Sequence, residues 1–414
     1  MSKKIIALVF SVCIILSGCK MTETINTFIG KPTQVENTLL TEKDSTVQFN
    51  IYPDGSECKD ELDRYMFSKL NAEQKSIYIK LDNAINDMQT GYIDVGKCTQ
   101  EELEFVFFCV RRDRPEYFWL PAAYYLRSVN NNMQIKFADS VRDWLCTDDE
   151  RDEYEVEIKE QLADLLKTVN DGDSQYSKEL KAHDWLVKKV TYDFDAVSGK
   201  SGHEHAWTVK GALIDGLAVC EGYSKALQIA FNMLGLESTV VTGVTDEPHM
   251  WNTVKIDGEW YHVDPTTNDS GDEKVHFFFN VTTEILLESR TIDREFAQLS
   301  GDEKTQLAYN FALPQCTSLE NNYYVKEGTF IKSKHQLSSD FVKIICDTAN
   351  QGKKSVEIGF DVSLGVSKME SVVNELGLRD VMDDANEQIS KPNKIRKYGW
   401  TLIPGSSAIK VSWN

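Results

Sequence analysis

Apolar side chains recur at helical spacing in several separate stretches of the chain. Leu62, Tyr65, Met66 and Leu70, then Ile77, Leu81 and Ile85, predict one or two helices over 60–88, and 101–111 predicts another. Residues 148–169 carry Tyr154, Ile158, Leu162, Leu165 and Leu166 on one side behind an acidic opening that suits a helix N-terminus. Residues 176–190 repeat the pattern with Leu180, His183, Trp185, Leu186 and Val187. These last two helices are expected to pack on the sheet that carries the candidate catalytic residues. From Ser224 to Leu234 the chain is apolar almost all round and stops at Gly235, the mark of a buried helix with a glycine C-cap. The pattern changes period after that. Residues 249–256 and 259–264 read as two strands around Asp257-Gly258, and 274–281 as a buried strand. Beyond residue 313, short strands are expected around Tyr323, 341–346 and 356–362, a helix over 367–376, and final strands near Trp400 and Val411. The whole predicts an α+β chain: a mainly helical N-terminal region (51–175), a core (176–290) whose Cys220-bearing helix packs on an antiparallel sheet, and a small α+β C-terminal module (291–414).

The Asp257-Gly258 turn fixes a register. With those two residues as the loop, Trp251 lies opposite Asp264 and His249 opposite Thr266, so Asp264 is diagonal to His249. Side-chain alternation puts His249, Trp251, Thr253, Trp260, His262 and Asp264 on one face, and a one-residue slip would separate the pair. Cys220 falls at or near the start of the buried helix, where backbone N–H groups and the helix dipole favour a thiolate. A carboxylate that orients an imidazole, beside a thiol on a helix start, is the constellation of nucleophilic acyl transfer. Gly222 leaves space for a close approach by substrate or by packed backbone.

These residues resemble a known family. C-x-G-Y at Cys220, H-x-W-N-x-V at His249 and D-G-x-W-Y-x-V-D-P-T ending past Asp264 look like the transglutaminase-like core, a branch of the papain-like thiol enzymes. The resemblance covers residues 176–281 and, more loosely, the aromatic stretch 114–119 and residues 313–324. It implies Cys220 as nucleophile, His249 as general base and Asp264 as its orienter, with no cofactor. The backbone N–H of Cys220 would supply one oxyanion donor. A second is not assigned: Trp207, Tyr192 and Trp251 are the candidates for pocket or oxyanion roles. Two other readings stay open at this point. A cysteine in an apolar helix often packs as a small hydrophobe, in a chain that keeps the fold as a binding module. A zinc site from Cys220, His249, His262 and Asp264 is weaker, because no paired-ligand spacing such as C-x-x-C occurs. Hydrolysis is favoured over cross-linking to an amine, since no amine-binding tunnel is identifiable.

Composition narrows the partners. The 414 residues suffice for more than one packed domain, and the formal net charge of −20 excludes a nucleic-acid footprint. Residues 1–19 read as a targeting segment: Lys3 and Lys4, an apolar run from Ile5 to Leu16 too short to span a membrane, then Leu16-Ser-Gly-Cys19. That ending resembles a bacterial lipobox and implies lipidation at Cys19, an extracytoplasmic protein anchored to a membrane by lipid, and a polar linker over 20–50. Peptides, proteins or cell-wall peptides are the substrates such a location suggests. Of the nine cysteines, no pairing among Cys58, Cys98, Cys109, Cys146, Cys316 and Cys346 is assigned.

Overall fold

Polar caps set where the long helices begin. Thr99 accepts the amide of Glu102 ahead of Gln100–Asp113, Thr147 and Glu150 form a reciprocal capping box ahead of Asp148–Leu166, and Ser174 accepts the amide of Ser177 ahead of Gln175–Lys189. The computed structural model describes residues 65–269, 274–293, 295–297, 308–310, 313–364, 369–403 and 405–414. The segment expected to target the chain, Cys19 where lipidation is expected, the expected linker and Cys58 lie outside the described residues. Among those described, no helix is long and apolar enough to cross a membrane.

The chain divides into two compact units, each assembled from discontinuous segments. One comprises the described residues up to Asn170, Tyr192–Thr239 and those from Asp293 to Leu313; the other comprises Asp171–Thr191, Val240–Ile292 and Pro314–Asn414. The 176–290 segment therefore contributes to both.

In the first unit, the helices Ala72–Asn86 and Gln100–Asp113 bury Tyr78, Leu81, Ile85, Leu103, Val106 and Val110. The aromatic stretch that follows closes this layer. Trp119 donates its indole N–H to the Ile85 carbonyl at 2.9 Å, Tyr117 donates to Asp82 at 2.6 Å, and Arg114 holds Asp82 through two bonds of 2.9 Å. The unit also holds a three-stranded antiparallel sheet, in the order Ile93–Gly96, Asn132–Lys136, Tyr125–Val129, so the N-terminal region is not purely helical. Its hairpin turns on Asn130 and Asn131, both at positive φ (53° and 66°). Asparagine tolerates that conformation, and this dipeptide is the signal in the sequence for the hairpin. The helix Asp148–Leu166, expected to face a sheet, lies in this unit and buries Ile158, Leu162 and Leu165.

The second unit is built on a five-stranded sheet, ordered Thr291–Ile292, Ser238–Val244, Pro248–Ile256, Glu259–Val263, Phe279–Val281. Asp257 and Gly258 take positive φ (52° and 93°), and the ladder they set pairs Asn252 with Val263 and Thr253 with His262, the register the turn predicts. Gly243 is obligatory: a Cβ there would sit 1.9 Å from the Thr291 carbonyl oxygen and 2.8 Å from the Trp251 ring. The helix Gln175–Lys189 is bonded to this sheet, Gln175 accepting the Asp257 amide at 2.7 Å and Glu179 accepting from Asn280 at 2.8 Å. The C-terminal residues carry their own core around Phe341, Ile345, Ile358, Phe360 and Ile409. Their four-stranded sheet runs Phe330–Ile331, Ser355–Phe360, Ala408–Trp413, Tyr398–Leu402. Residues 341–346, expected as a strand, belong to the helix Leu337–Asn350. The apolar run is short, and the buried set Leu337, Phe341, Ile345 and Ala349 has the spacing of one helical face. Tyr323 likewise opens a short helix, Tyr323–Glu327.

Candidate functional site

Cys220 is the first residue of the helix Cys220–Met233, a half-buried thiol at a helix start where Val219 provides no side-chain cap. The lead-in is held by backbone bonds: the Val219 amide donates to the Ala206 carbonyl at 3.0 Å and the Tyr223 amide to the Val219 carbonyl at 3.1 Å. Gly222 is the close-packing residue here. A Cβ on it would meet the Ala206 carbonyl oxygen at 2.5 Å and the Thr208 carbonyl oxygen at 3.1 Å, so the space goes to backbone and not to a ligand. The other five described cysteines are perturbed by burial. Burial pushes Cys98 up to about 11 and Cys146 and Cys316 up to about 12, and it raises Cys109 and Cys346 as well, leaving them as thiols at neutral pH. All six described cysteines are free.

His249 and Asp264 meet in the second unit. His249 Nε2 lies 2.9 Å from Asp264 Oδ2, and the imidazole stacks on the Trp251 indole with centroids 5.9 Å apart. Asp264 itself leaves the strand and caps the short helix Pro265–Asn268, its Oδ1 accepting the Thr267 amide at 3.0 Å and its Oδ2 the Thr267 hydroxyl. Arg290 Nη1 binds the same Oδ2, its Nη2 reaches the Thr267 hydroxyl at 3.2 Å, and its guanidinium lies over the Phe278 ring at 3.9 Å. Burial alone would raise Asp264; the charges of His249 and Arg290 and the bonds from His249 and Thr267 outweigh it and hold the carboxyl well below the usual carboxylate range. An ionised carboxylate only accepts. Nε2 of His249 therefore carries a proton toward Asp264.

Arg290 is a residue that sequence reasoning missed. It lies 26 positions from Asp264 with no local signal, and only the fold brings its side chain, 2% exposed, to the carboxylate. Of the candidates for pocket or oxyanion roles, Trp207 lines a cavity in the first unit, and Tyr192 packs on Phe194 and the small cluster around Val219. Trp251 is fully buried and donates its indole N–H to His262 Nδ1 at 3.1 Å, so that donor is already engaged within the sheet. His262 thereby spends its lone-pair nitrogen on Trp251, and its Nε2 faces the Thr283 hydroxyl at 3.1 Å. That use removes it from a zinc ligand set.

A second histidine group in the same unit has the composition of a metal site. His183, Asp184 and His276 place ligand atoms within 4.8 Å of one another. Hydrogen-bond directions decide against coordination. The Phe278 amide donates to Asn268 Oδ1, which turns the Asn268 amino group toward His183 Nε2 at 3.1 Å. Nε2 must then accept, so Nδ1–H donates to Asp184 at 3.1 Å. His276 has carboxylates at both ring nitrogens, Asp184 at 3.0 Å and Glu357 at 3.3 Å, and its ring stacks on Tyr323 at 3.9 Å. Burial works against the charge, but the two carboxylates prevail and push His276 up to about 9. A doubly donating imidazolium has no lone pair for a cation. The group is an ion-paired lock that ties Glu357 of the C-terminal sheet to the helix Gln175–Lys189.

Residues 163–265 match the model described as Transglutaminase-like superfamily. A solved structure described as "Crystal structure of a TGase" aligns over 43% of this chain and 50% of that chain, at 18% identity and a TM-score of 0.27. The chain thus spans half the length of that protein. No curated protein matches the sequence.

Proposed function

We propose that this protein is a thiol enzyme of the transglutaminase-like type that hydrolyses peptide or amide bonds, extracytoplasmic and held at the membrane by lipid on Cys19. The observation that carries the enzymatic part is the buried, ionised Asp264, anchored by Arg290 and Thr267, which fixes the tautomer of His249. The superfamily match over 163–265 supports the same reading, and the resemblance of residues 16–19 to a lipobox supports the location.

In this reading His249 Nδ1 takes the proton of Cys220, and the thiolate attacks a substrate carbonyl carbon. The oxyanion forms against backbone N–H groups at the start of the Cys220 helix. The C–N bond breaks as His249 returns its proton to the leaving amine, giving a thioester. Water, deprotonated by His249, then cleaves the thioester, releases the acid and restores the thiol. Asp264 stays ionised throughout and stabilises the imidazolium.

Iodoacetamide labelling with peptide mapping tests this on the wild type, His249→Ala and Asp264→Asn. Rapid alkylation of Cys220 at neutral pH, lost in His249→Ala and slowed in Asp264→Asn, is the expected result. An inert Cys220 in all three would leave a surface binding module that keeps the fold. Product analysis with an added primary amine then separates hydrolysis from cross-linking.

A further inference from the structure

Of the chain's 65 acidic residues none falls between Gln388 and Asn414, a stretch that holds five basic ones. Four of the five, Lys391, Lys394, Arg396 and Lys397, crowd together, and Trp400 follows them. In a chain of net charge −20 this is a local reversal of sign.

The fold of the second unit enlarges the patch. Ser390 donates its amide to Asn350 Oδ1 at 3.0 Å, which ties the basic loop to the end of the helix Leu337–Asn350, and Lys353 and Lys354 follow that helix. The end of the strand Ala408–Trp413 runs between the two basic segments. The Trp413 amide donates to the Lys354 carbonyl at 2.8 Å, and the Asn414 amide donates to the Lys397 carbonyl at 3.2 Å. With neighbouring strands about 4.8 Å apart, the backbones of Lys354 and Lys397 lie about 10 Å from each other. Lys353, Lys354, Lys391, Arg396 and Lys397 are all exposed, and among the described residues none of them makes an ion pair. Lys394 is half-buried on the Asn386 carbonyl, and both it and Asp347 act on the Cys346 thiol, so those two charges offset each other. Against the five exposed cations stand Glu387 on the last turn of Leu378–Gln388, Asp383 and Asp384 a turn further back, and the carboxylate at Asn414. An excess of cations remains even when all four are counted. Trp400, 51% exposed, lies on the outermost strand Tyr398–Leu402, three residues from Lys397.

We propose that this end of the C-terminal sheet seats on a membrane surface carrying anionic lipid, the exposed cations meeting headgroup phosphates and Trp400 entering the interface. An indole half in water beside lysine and arginine is the side-chain combination that settles at headgroup level, where the cations keep to the water side. The acidic remainder of the chain does not prevent this. Charges more than about 8 Å from the surface are screened at physiological salt, whereas those of the patch touch it. Repulsion of the acidic faces instead selects which face docks. That a membrane is close at hand rests on the lipid-anchor reading of Cys19; the chemistry of the patch does not.

Vesicle sedimentation tests this on the full chain carrying Cys19→Ser, to which no lipid can be attached. Vesicles of phosphatidylcholine alone are compared with vesicles that also carry about 30% phosphatidylglycerol. The anionic vesicles should be bound about tenfold more tightly or better, and more weakly as salt rises. Lys354→Gln with Lys397→Gln should remove most of that preference, since each cation at such a surface is worth about fivefold in affinity. Lys332→Gln with Lys343→Gln makes the same change in net charge away from the patch and should leave the preference in place. Trp400→Ala should weaken binding to the anionic vesicles by about fivefold. Equal binding to both vesicles, or a preference that survives Lys354→Gln with Lys397→Gln, would overturn the proposal. Binding of duplex DNA as tight as that of the anionic vesicles at the same salt would overturn it too, by making the patch a site for any polyanion. Metabolic labelling with palmitate, lost in Cys19→Ser, reports on the anchor by itself, so the anchor and the patch can fail separately.

Discussion

Raising the pH should unlock His276. The imidazolium is 9% exposed and holds Asp184 on one nitrogen and Glu357 on the other, and its proton is retained up to about 9 against an ordinary 6.5. The folded state binds this proton more tightly than the unfolded chain, so the stability it contributes is complete below about pH 6.5 and drains away as pH rises through about 9. At 1.36 kcal/mol per pH unit, that difference is worth about 3 kcal/mol. His276→Gln removes the titration and leaves Asp184 and Glu357 facing a neutral side chain. Urea unfolding of both proteins, followed by circular dichroism at about pH 6 and about pH 10, gives the test. The wild type should lead the variant by about 3 kcal/mol more at the lower pH than at the higher one. Comparing the two proteins cancels other groups that titrate in the window, among them Glu104, which burial pushes up to about 7. An equal gap at both pH values would refute the doubly held imidazolium. A gap that closes on adding a chelator would show a metal where hydrogen-bond directions place none.

Arg290→Met should cost about 3–5 kcal/mol, since it leaves the Asp264 carboxylate buried without its guanidinium. Arg290→Lys should recover part of that in thermal unfolding, and in Arg290→Met the alkylation of Cys220 should lose its dependence on His249. Gly243→Ala puts a methyl group into the Thr291 carbonyl and should lower stability by about 1–3 kcal/mol, read from the urea midpoint. Gly222→Ala should do the same against the Ala206 carbonyl, and should slow Cys220 alkylation because the helix start must shift.

The parts of the fold that could be read from the sequence are those decided by neighbours. Two residues, Asp257 and Gly258, set the hairpin register, and from it the approach of His249 to Asp264 follows. Gly235 at φ 76° ends the Cys220 helix as its position suggests. What could not be read depends on contacts between distant positions. Arg290 reaches Asp264 across 26 residues, and Glu357 reaches His276 across 81. Neither arginine nor glutamate announces in its own surroundings that it will be buried beside an opposite charge. Residues 341–346 failed for another reason: six apolar and polar positions fit a strand or a helix equally well, and only the packing of Phe341 and Ile345 into the C-terminal core chooses.

The lock at His276 bears on inheritance as well as on stability. A stop codon anywhere between Leu313 and Glu357 would spare every codon for Cys220, His249 and Asp264, and a genotype scored on those three positions would pass as intact. The truncated chain would nonetheless present His276 with one carboxylate in place of two, and Tyr323 or the Glu357 strand would be missing from the same compact unit. The lesion would show itself in the amount of protein that survives proteolysis, far from the codons that a reader of the candidate site would inspect.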